Sequence, residues 1–467
     1  MIFTLNDIQG LKITVMGLGL HGGGLASARF FAEHGASVTV TDLRDEQTLA
    51  PTLKKLSGLP IRYVLERHET EDFTSADLVI KNPAVPRNSK FLQLSSHVET
   101  DISVFLRLNR RPLIAVTGSK GKSTTVSALY HILKAHDPKV LLGGNITVSP
   151  LTFIEECLSP SESPVILELS SWQLADIKPI NLLSPGIAVI TNIMADHQNS
   201  YNNMQEYVED KARIFLGQPA EAQSIFFYDD SYGHAYAGRT PGKPMFYSSE
   251  PMPTEVGDCA YLHDQIGYAL IDENLHEIVP ADVHIVGTHN RLNLLVAGFI
   301  ALLRGVPPQV IRRQAASFSG IEHRMELIGT LNGVRWYNDS AATIPDATAA
   351  ALESLHSAGR VHLITGGTDK ELDFSPLEEK WHIPASIHLL EGSASTHMKN
   401  SLHTRGISFF GPFDNLHGAV QSASMQAESG DSVLFSPGAT SFGMFLNEFD
   451  RGRCFKAIVE DLTGSAR

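Results

Sequence analysis

Apolar runs and helix-spaced segments alternate from the start of the chain. The stretches "KITVM" (residues 12–16) and "SVTVTD" (37–42) predict strands, and "LASARFFAEHG" between them predicts a helix that stops at Gly35. A later strand is predicted in "ADLVIKNPAVP" (76–86), which ends in a proline-rich loop. Strands that alternate with helices predict a parallel sheet.

A second series begins near Arg111. The stretch "PLIAVTG" predicts a strand, and "STTVSALYHILKAH" predicts a helix with apolar residues on one face. The continuous apolar runs "VILELSS" and "IAVITNI" are typical of strands that are buried on both faces of a sheet. Residues 220–285 hold shorter alternating segments with many turn residues, which indicate a small β-rich subregion.

A third series follows "FSGIEHRME" (318–326). Four strands are predicted in "GVRWYND", "GRVHLITGG", "ASIHLLEG" and "DSVLFSPG", with helical stretches such as 346–357 between them. The chain is therefore predicted to be an α/β protein of three domains. These are a Rossmann-like N-terminal domain (1–101), a central P-loop-type ATPase domain with a parallel sheet (102–320) and a Rossmann-like C-terminal α/β domain (321–467).

Composition excludes several classes of partner. The formal net charge of −14 argues against nucleic acid and anionic membranes, which attract basic surfaces. The three cysteines lie far apart, which favours a reducing compartment over a disulfide framework or a structural zinc site. The uncharged run 13–28 is interrupted by five glycines and is too short to span a bilayer. We expect a cytoplasmic protein, and nothing in the sequence implies an oligomer.

A phosphate-binding turn is predicted in "VTGSKGKSTT". A glycine-rich turn between a strand and a helix points backbone N–H groups into one concavity, and the helix N-terminus adds partial positive charge. Lys122 would reach the terminal phosphate of a nucleotide, and the Ser123 hydroxyl would bind Mg²⁺. The alternative is a solvated turn with two lysines. The predicted ATP-binding residues of the turn are Gly118, Ser119, Lys120, Gly121, Lys122, Ser123 and Thr124.

Three further residues of the central series carry candidate chemistry. Glu168 ends a predicted buried strand, where the sites of parallel sheets collect, and a carboxylate is a hard ligand suited to magnesium. His197 follows the next strand, and Lys211 lies in a predicted helix. The alternatives are a strand-end carboxylate that points into water for Glu168, a structural histidine for His197 and a surface helix lysine for Lys211. Their position beside one phosphate turn favours a shared site.

The motifs "TGSKGKST", "GGNI", "LELSSWQL", "TN…DH", "GTHNRLN", "HRME", "NDS" and "LFSPGATSF" occur in this order along the chain. In this pattern the chain resembles the Mur ligase family of amide-bond-forming enzymes over nearly its whole length. The resemblance implies that ATP phosphorylates a substrate carboxylate and that an amino acid then displaces the phosphate. The expected small-molecule substrates are UDP-N-acetylmuramoyl-L-alanine and glutamate, with the D isomer favoured, and the expected cofactors are ATP and Mg²⁺.

The resemblance also implies roles for residues. Ser123, Glu168, His197 and a carbamylated Lys211 would hold magnesium, while Lys122 would neutralise the transferred phosphate. The remaining residues match nucleotide contacts (Asn290, Asn293, Arg324 and Asp339) and contacts to the muramoyl-alanine part of the acceptor (Asn145, Ser170 and Gln173).

The N-terminal turn has two functional interpretations. Gly17, Gly19 and Gly22 spell GxGxxG after a strand, and Asp42 ends the next strand, a combination that fits NAD. A structural turn without a ligand is the third alternative. In the family that the chain resembles, this turn holds UDP instead, which implies as contacts Gly19, Leu20, His21, Asp42 and Arg44.

The third domain is expected to bind the incoming amino acid. By resemblance, Lys370 would hold the glutamate side-chain carboxylate, and Ser441 with Phe442 would complete the pocket. Competing functions are a folylpolyglutamate synthase-like ligase, an NAD-dependent oxidoreductase and a nucleotide-binding regulator without activity. A folylpolyglutamate synthase-like ligase lacks a UDP-binding N-terminal domain. A regulator without activity would not need Lys122, Glu168, His197 and Lys211 together.

Overall fold

Three β-sheets form the framework of the described part of the chain. The computed structural model describes residues 4–19, 22–146, 148–177, 182–194, 201, 203–285, 287–356, 359–369, 372–441 and 443–464. By internal contacts the chain divides into two units, of which the first comprises 1–281 with 292–315 and the second comprises 282–291 with 316–467. The first unit holds two of the sheets and the second unit holds the third.

The N-terminal sheet is parallel throughout, with the strand order β3-β2-β1-β4-β5. This is the order of a Rossmann-like fold, and it places a topological switch point between β1 and β4. The strands are β1 (Lys12–Met16), β2 (Ser37–Asp42), β3 (Ile61–Leu65), β4 (Leu78–Lys81) and β5 (Val98–Glu99). The helices are α1 (Gly23–Glu33), α2 (Glu46–Lys55), α3 (Thr70–Thr74) and α4 (Asp101–Leu108).

The central sheet has nine strands in the order β14-β13-β12-β11-β10-β9-β6-β8-β7. The first seven strands by number, β6 to β12, run parallel, and β13 and β14 extend the sheet as antiparallel neighbours. The strands are β6 (Leu113–Thr117), β7 (Leu141–Gly144), β8 (Val165–Glu168), β9 (Ile187–Ile190), β10 (Gln223–Phe227), β11 (Lys243–Ser248), β12 (Cys259–His263), β13 (Ile266–Ile271) and β14 (Asn274–Val279). The β-rich subregion predicted over 220–285 therefore belongs to the central sheet.

The helices of the central series follow the predicted alternation. The β6-to-β9 order places β6 at a switch point, because the chain moves to β7 and β8 on one side and then to β9 on the other. The helices are α5 (Lys122–Lys134), α6 (Ser171–Asp176), α7 (Met204–Leu216), α8 (Ser231–Ala237), α9 (Thr288–Leu303) and α10 (Pro308–Ser317).

The third sheet has the order β15-β16-β20-β17-β18-β19, and only the β15–β16 pairing is antiparallel among its described pairs. The strands are β15 (Glu326–Leu331), β16 (Val334–Asn338), β17 (Val361–Gly366), β18 (Ser386–Leu390), β19 (Phe410–Phe413) and β20 (Ser432–Phe435). The helices are α11 (Pro345–His356), α12 (Ser375–Glu378), α13 (Ser393–Thr404), α14 (Leu416–Gln426) and α15 (Glu448–Gly464).

Burial explains why these strands form where the apolar runs occur. Every residue of β6, β8 and β9 is buried, as expected for strands covered on both faces. One hydrophobic cluster runs through both sheets of the first unit, and two clusters cover the faces of the third sheet. The predicted α/β fold with three sheet-containing domains is confirmed, whereas the boundaries at 101/102 and 320/321 stay predictions.

None of the helices in the described part of the chain combines the length and the apolar character that a membrane crossing requires.

Candidate active site

The central glycine turn lies at the carboxyl end of β6, at the switch point of its sheet. Gly118 has φ +146° and Gly121 has φ +83°, conformations that residues with a side chain rarely adopt. A Cβ at Gly118 would lie 1.9 Å from Thr191 Oγ1, and one at Gly121 would lie 2.4 Å from Asn293 Oδ1. The turn therefore needs both glycines, because neighbouring elements press directly against its backbone.

Residues after β9 hold the turn in shape. Asn192 Oδ1 accepts a hydrogen bond from the Lys120 backbone N–H at 2.9 Å, and Thr191 Oγ1 donates to the Lys120 carbonyl at 2.6 Å. Ser119 is buried, and its hydroxyl contacts Tyr207 OH at 2.9 Å. The "TN" of the quoted motif thus fixes the loop conformation, a role that its position in the sequence did not reveal.

Two lysines converge on one carbonyl oxygen of the turn. Lys122 Nζ donates to the Gly118 carbonyl at 2.9 Å, and Lys211 Nζ donates to the same oxygen at 2.7 Å. Lys211 is only 1% exposed, and its ammonium lies 4.6 Å from the centre of the Tyr207 ring. Two cations that meet at one point create a local positive potential suited to a polyanion. The alternative of a surface lysine is wrong for Lys211.

The other residues of the predicted ATP segment, Ser123 and Thr124, are half-buried in the first turn of α5. This position places them at the positive end of the helix dipole, in the first turn, where the backbone N–H groups have no partner within the helix itself.

Glu168 is fully buried at the end of β8. Its Oε1 accepts a hydrogen bond from Asn145 Nδ2 at 2.8 Å, and its backbone carbonyl accepts from the Asn145 N–H at 2.9 Å. Its Oε2 is buried without a hydrogen-bond partner among the described residues. A buried carboxylate oxygen without a partner is costly, and a cation would remove that cost. Glu168 is therefore suited to be a metal ligand. Its burial rules out the alternative of a carboxylate that points into water.

A cavity of about 720 Å³ lies within the first unit, at the carboxyl ends of the N-terminal strands. Ligands of open α/β sheets bind at such positions, outside the carboxyl ends of the strands. Its walls include residues predicted for two different parts of the acceptor, namely Gly19, Asp42 and Arg44 for UDP and Asn145 and Gln173 for muramoyl-alanine. The fold therefore brings these residues, which are far apart in sequence, to one compartment.

Asp42 closes the first glycine turn. One carboxylate oxygen accepts from the Gly19 N–H at 3.1 Å, and the other accepts from the Arg44 N–H at 3.0 Å. Arg44 itself is exposed, with its guanidinium 3.7 Å from the Asp42 carboxylate. The carboxylate accepts from two backbone donors and lies at the cavity wall, where its remaining lone pairs can accept from a ligand hydroxyl group.

Gln173 and Ser170 occupy the start of α6. The Ser170 hydroxyl caps the helix by accepting from the Gln173 N–H at 3.2 Å, and Gln173 Oε1 accepts from the Ser170 N–H at 2.9 Å. This capping box fixes Gln173 at the cavity wall and leaves its side-chain amide N–H groups to serve a ligand. Ser170 itself is not among the residues that line the cavity.

Several cavity residues were not predicted. His68 Nδ1 lies 2.7 Å from Thr41 Oγ1, and the ring packs edge-on against Phe91. Asp101 is buried at the same cavity and accepts from the Ser149 hydroxyl at 2.7 Å. Burial raises the pKa of Asp101. Nothing in the local sequence around these residues distinguishes them from ordinary core positions.

The predicted nucleotide contacts are distributed over both units. Asn293 is buried in the first unit, where its Oδ1 lies 3.3 Å from Thr125 Oγ1 behind the central turn. Asn290, Arg324 and Asp339 belong to the second unit. Arg324 is exposed, whereas Asp339 is buried and accepts from the Met325 N–H at 3.1 Å and the Ser436 hydroxyl at 2.7 Å. Burial raises the pKa of Asp339 to about 7.

Within the second unit, Ser441 is buried next to the point where Thr368 and Thr440 exchange backbone hydrogen bonds of 3.0 Å. This pairing brings the segment that ends at residue 369 beside the segment that ends at 441. Five predicted site residues lie outside the described residues and stay predictions: Leu20, His21, His197, Lys370 and Phe442.

The three sheets and the lysine-bearing glycine turn define a multidomain α/β enzyme that binds a nucleotide. The chain belongs to the Mur ligase family. The Mur ligase MurD-like N-terminal domain matches residues 11–104, the Mur ligase middle domain matches 116–301, and the Mur ligase, glutamate ligase domain matches 323–438.

Curated relatives cover almost the whole chain, and each of those named here is a UDP-N-acetylmuramoylalanine--D-glutamate ligase. The protein of Borreliella afzelii is 41% identical, with 98% of this chain and 99% of the relative covered. The protein of Treponema pallidum is 38% identical, with coverages of 97% and 98%. The protein of a Roseiflexus species is 39% identical, with coverages of 98% and 100%.

Solved structures support the fold. The UDP-N-acetylmuramate-alanine ligase MurC from Thermotoga maritima superposes with a TM-score of 0.61 at 19% identity, with 97% of this chain and 100% of that chain covered. MurF from Acinetobacter baumannii gives a TM-score of 0.56 at 15% identity, with coverages of 97% and 93%. At these identities the likeness concerns the fold alone.

Proposed function

We propose that this chain is an ATP-dependent ligase that joins D-glutamate to the carboxyl group of UDP-N-acetylmuramoyl-L-alanine, a step of peptidoglycan precursor synthesis. The curated relatives with that activity in their name support the proposal. One structural observation carries it: Asn145 lines the cavity that begins at Asp42 and also donates to Glu168 at 2.8 Å. The UDP-sugar compartment and the buried carboxylate beside the phosphate turn are therefore neighbours.

The proposed reaction has two steps. The acceptor carboxylate attacks the γ-phosphorus of ATP, the bond to the β–γ bridging oxygen breaks, and ADP leaves. The amine of D-glutamate then attacks the acyl carbon, loses a proton, and displaces inorganic phosphate as the C–N bond forms. An unactivated carboxylate is a poor electrophile, and the phosphate gives it a leaving group. Such catalysis depends mainly on positioning and on neutralising charge.

The central turn suits the first step. Its backbone N–H groups and the N-terminus of α5 would bind the phosphates, and Lys122 would neutralise the charge on the phosphoryl group in transfer. Gly118 to Thr124 form this part of the proposed ATP site. Asn290, Asn293, Arg324 and Asp339 are the proposed contacts to the rest of the nucleotide.

Magnesium is the proposed metal, because the unsatisfied Glu168 Oε2 and the Ser123 hydroxyl are hard oxygen ligands of the kind that it prefers. When bound, the ion neutralises charge on the phosphates. His197 and Lys211 complete the proposed ligand set. Carbamylation would turn the buried Lys211 ammonium into an anion and so remove the repulsion between two cations at the Gly118 carbonyl.

Each domain would bind one reactant. The proposal assigns UDP to 1–101, ATP to 102–320 and the amino acid to 321–467. The acceptor contacts would be Gly19, Leu20, His21, Asp42, Arg44, Asn145, Ser170 and Gln173. Lys370, Ser441 and Phe442 would bind glutamate. A cytoplasmic location, with small molecules as the partners, agrees with these nucleotide substrates and with three free cysteines.

The test is phosphate release from the purified full-length chain, supplied with ATP, magnesium, UDP-N-acetylmuramoyl-L-alanine and one amino acid at a time. We expect release with D-glutamate and none with L-glutamate, glycine or L-alanine. Omission of magnesium or of the UDP-sugar should abolish it.

Matched assays separate the competing functions. A folylpolyglutamate synthase-like ligase would release phosphate with a folate and L-glutamate, and an oxidoreductase would bind NAD at the first glycine turn. Either result, together with no turnover of the UDP-sugar, would overturn the proposal.

A further inference from the structure

Two cations project from the cavity wall toward the central domain. Residues 82–91 follow β4 and contribute nine of the residues that line the cavity, with Arg87 as the one exception in that stretch. Lys81, at the end of β4, is 4% exposed and donates to Asp176 Oδ2 at 2.7 Å. Arg87 lies with Nε 3.4 Å from Asp176 Oδ1 and with Nη2 3.4 Å from Asp210 Oδ2. Ion pairs therefore connect the segment that forms this cavity wall to α6 and α7.

The two aspartates occupy informative positions. Asp176 is the last residue of α6, where the negative end of the helix dipole disfavours a carboxylate. It is 4% exposed, and burial raises its pKa while Lys81 opposes that shift. A buried carboxylate at the end of α6 requires its cationic partners Lys81 and Arg87, because an unpaired buried ion is strongly unfavourable. Asp176 thus marks a fixed contact between the cavity wall and α6.

Asp210 connects this contact to the proposed catalytic lysine. It directly precedes Lys211 on α7. Successive helical residues point about 100° apart, so Asp210 faces Arg87 while Lys211 reaches the Gly118 carbonyl. The helix α6 packs on α7, so the helix that carries Lys211 and its neighbour both form ion pairs with Lys81 or Arg87.

We propose that Lys81, Arg87, Asp176 and Asp210 form a latch that positions α7, and with it Lys211, according to the state of the acceptor cavity. The inference rests on the proposed function, because it takes Lys211 as a residue of the reacting site. The four residues act through Lys211 and the cavity wall, so they are positioning residues. Acceptor binding against 82–91 would thereby stabilise the arrangement in which Lys211 meets the phosphate turn.

Arg87 is the best residue to test, because half of its side chain is exposed and its removal leaves the buried Lys81–Asp176 pair intact. In the full-length protein, Arg87→Ala and Asp210→Asn should each lower kcat about 10- to 100-fold, as a misplaced reacting group does. KM for the UDP-sugar should change less than threefold. The double variant should lose less than the two single losses combined, because both single variants remove the same Arg87–Asp210 ion pair. Arg87→Lys should recover part of the loss.

The chain offers a matched control on the same helix. Glu209, next to Asp210, forms a two-pronged ion pair with Arg239 at 2.7 and 2.9 Å that stays within the central domain. Arg239→Ala removes an ion pair from α7 without touching the cavity wall, and kcat should stay within twofold of wild type.

The latch is excluded if Arg87→Ala lowers kcat no more than Arg239→Ala, or if the losses of Arg87→Ala and Asp210→Asn add. It is also excluded if Arg87→Ala raises KM for the UDP-sugar while kcat stays at the wild-type value, since the loop would then serve binding alone. Failure of the proposed function gives a different result, namely wild-type protein without D-glutamate-dependent turnover. In that case calorimetric binding of the UDP-sugar to wild type and Arg87→Ala decides whether the wall binds this ligand.

Discussion

The two glycine-rich turns of the first unit share a backbone design and differ in side-chain chemistry. The first turn follows β1 and the second follows β6, each at a switch point between parallel strands, and each turn leads into a helix. Gly17, Gly19 and Gly22 have φ of +88°, +64° and +96°, which parallels the positive φ of Gly118 and Gly121. Both turns therefore share the positive-φ glycine geometry that anion-binding turns at helix N-termini use.

Their surroundings carry opposite charge. At the first turn the Asp42 carboxylate accepts from the Gly19 N–H, whereas at the second turn Lys122 and Lys211 donate to the Gly118 carbonyl. A carboxylate beside a turn suits the hydroxyl groups of a nucleotide sugar, and ammonium groups suit a phosphate that changes its charge during reaction. A glycine motif thus predicts a phosphate-binding turn. The charged side chains beside the turn indicate whether it is suited to bind a ligand or to catalyse a reaction of its phosphate.

The largest expected effect is on the lysine that distinguishes the second turn. Lys122→Ala should lower kcat about 100- to 1000-fold, the usual cost of losing one group that stabilises a developing charge. Affinity for the UDP-sugar, measured by calorimetry without ATP, should be unchanged, because the first turn is intact. The control is Lys134→Ala, at the far end of the same helix, which should turn over normally. If Lys122→Ala lowers the affinity for the UDP-sugar by the same factor as kcat, the two turns do not have separate roles.

The second expected effect is a difference in folding stability between variants of the two turns, because the turns are packed differently. Gly118→Ala places a Cβ 1.9 Å from Thr191 Oγ1, so it should cost about 3 kcal/mol or more in stability. Gly19→Ala meets nothing nearer than Asn82 Nδ2 at 3.7 Å, so only its positive φ matters, at about 1 kcal/mol. Thermal unfolding of both variants measures the difference. Thr191→Ala should partly rescue Gly118→Ala, and equal losses without rescue would show that the two turns are packed alike.

The strands and the turns were predictable from sequence because their causes are local. The strands β1 and β2 coincide with the predicted runs 12–16 and 37–42. Helix α5 begins at Lys122, one residue before the predicted helical stretch. The strands β3, β5, β7, β15 and β19 were not predicted. Of these, β19 (Phe410–Phe413) is a short edge strand that contains a proline and little buried surface.

The surroundings of the site depend on residues far apart in the chain. Lys81 and Asp176 are separated by 95 positions, and Lys211 and Gly118 by 93, so no local pattern reports these contacts. The burial of Lys211 illustrates the point, because its helix reads as amphipathic and a lysine there is ordinarily solvated. The motif resemblance indicated Lys211, whereas its burial and its contact with the Gly118 carbonyl are visible only in the fold.

The smallest expected effect is a pH dependence confined to the cavity of the first turn. Burial lowers the pKa of His68 below its ordinary value, and the nearby Asp42 only partly opposes this shift. The unfolded chain then binds more protons at this residue than the folded chain as pH falls through about 6.5, so acid weakens the fold. In His68→Gln this contribution is absent. Melting temperatures of the ligand-free proteins should therefore differ by a constant amount above pH 7.5, with the wild type losing more than the variant between pH 7 and pH 5.5. Curves that stay parallel over the whole range would mean that His68 does not titrate against the fold, and the acid sensitivity would then have to lie elsewhere than beside the first turn.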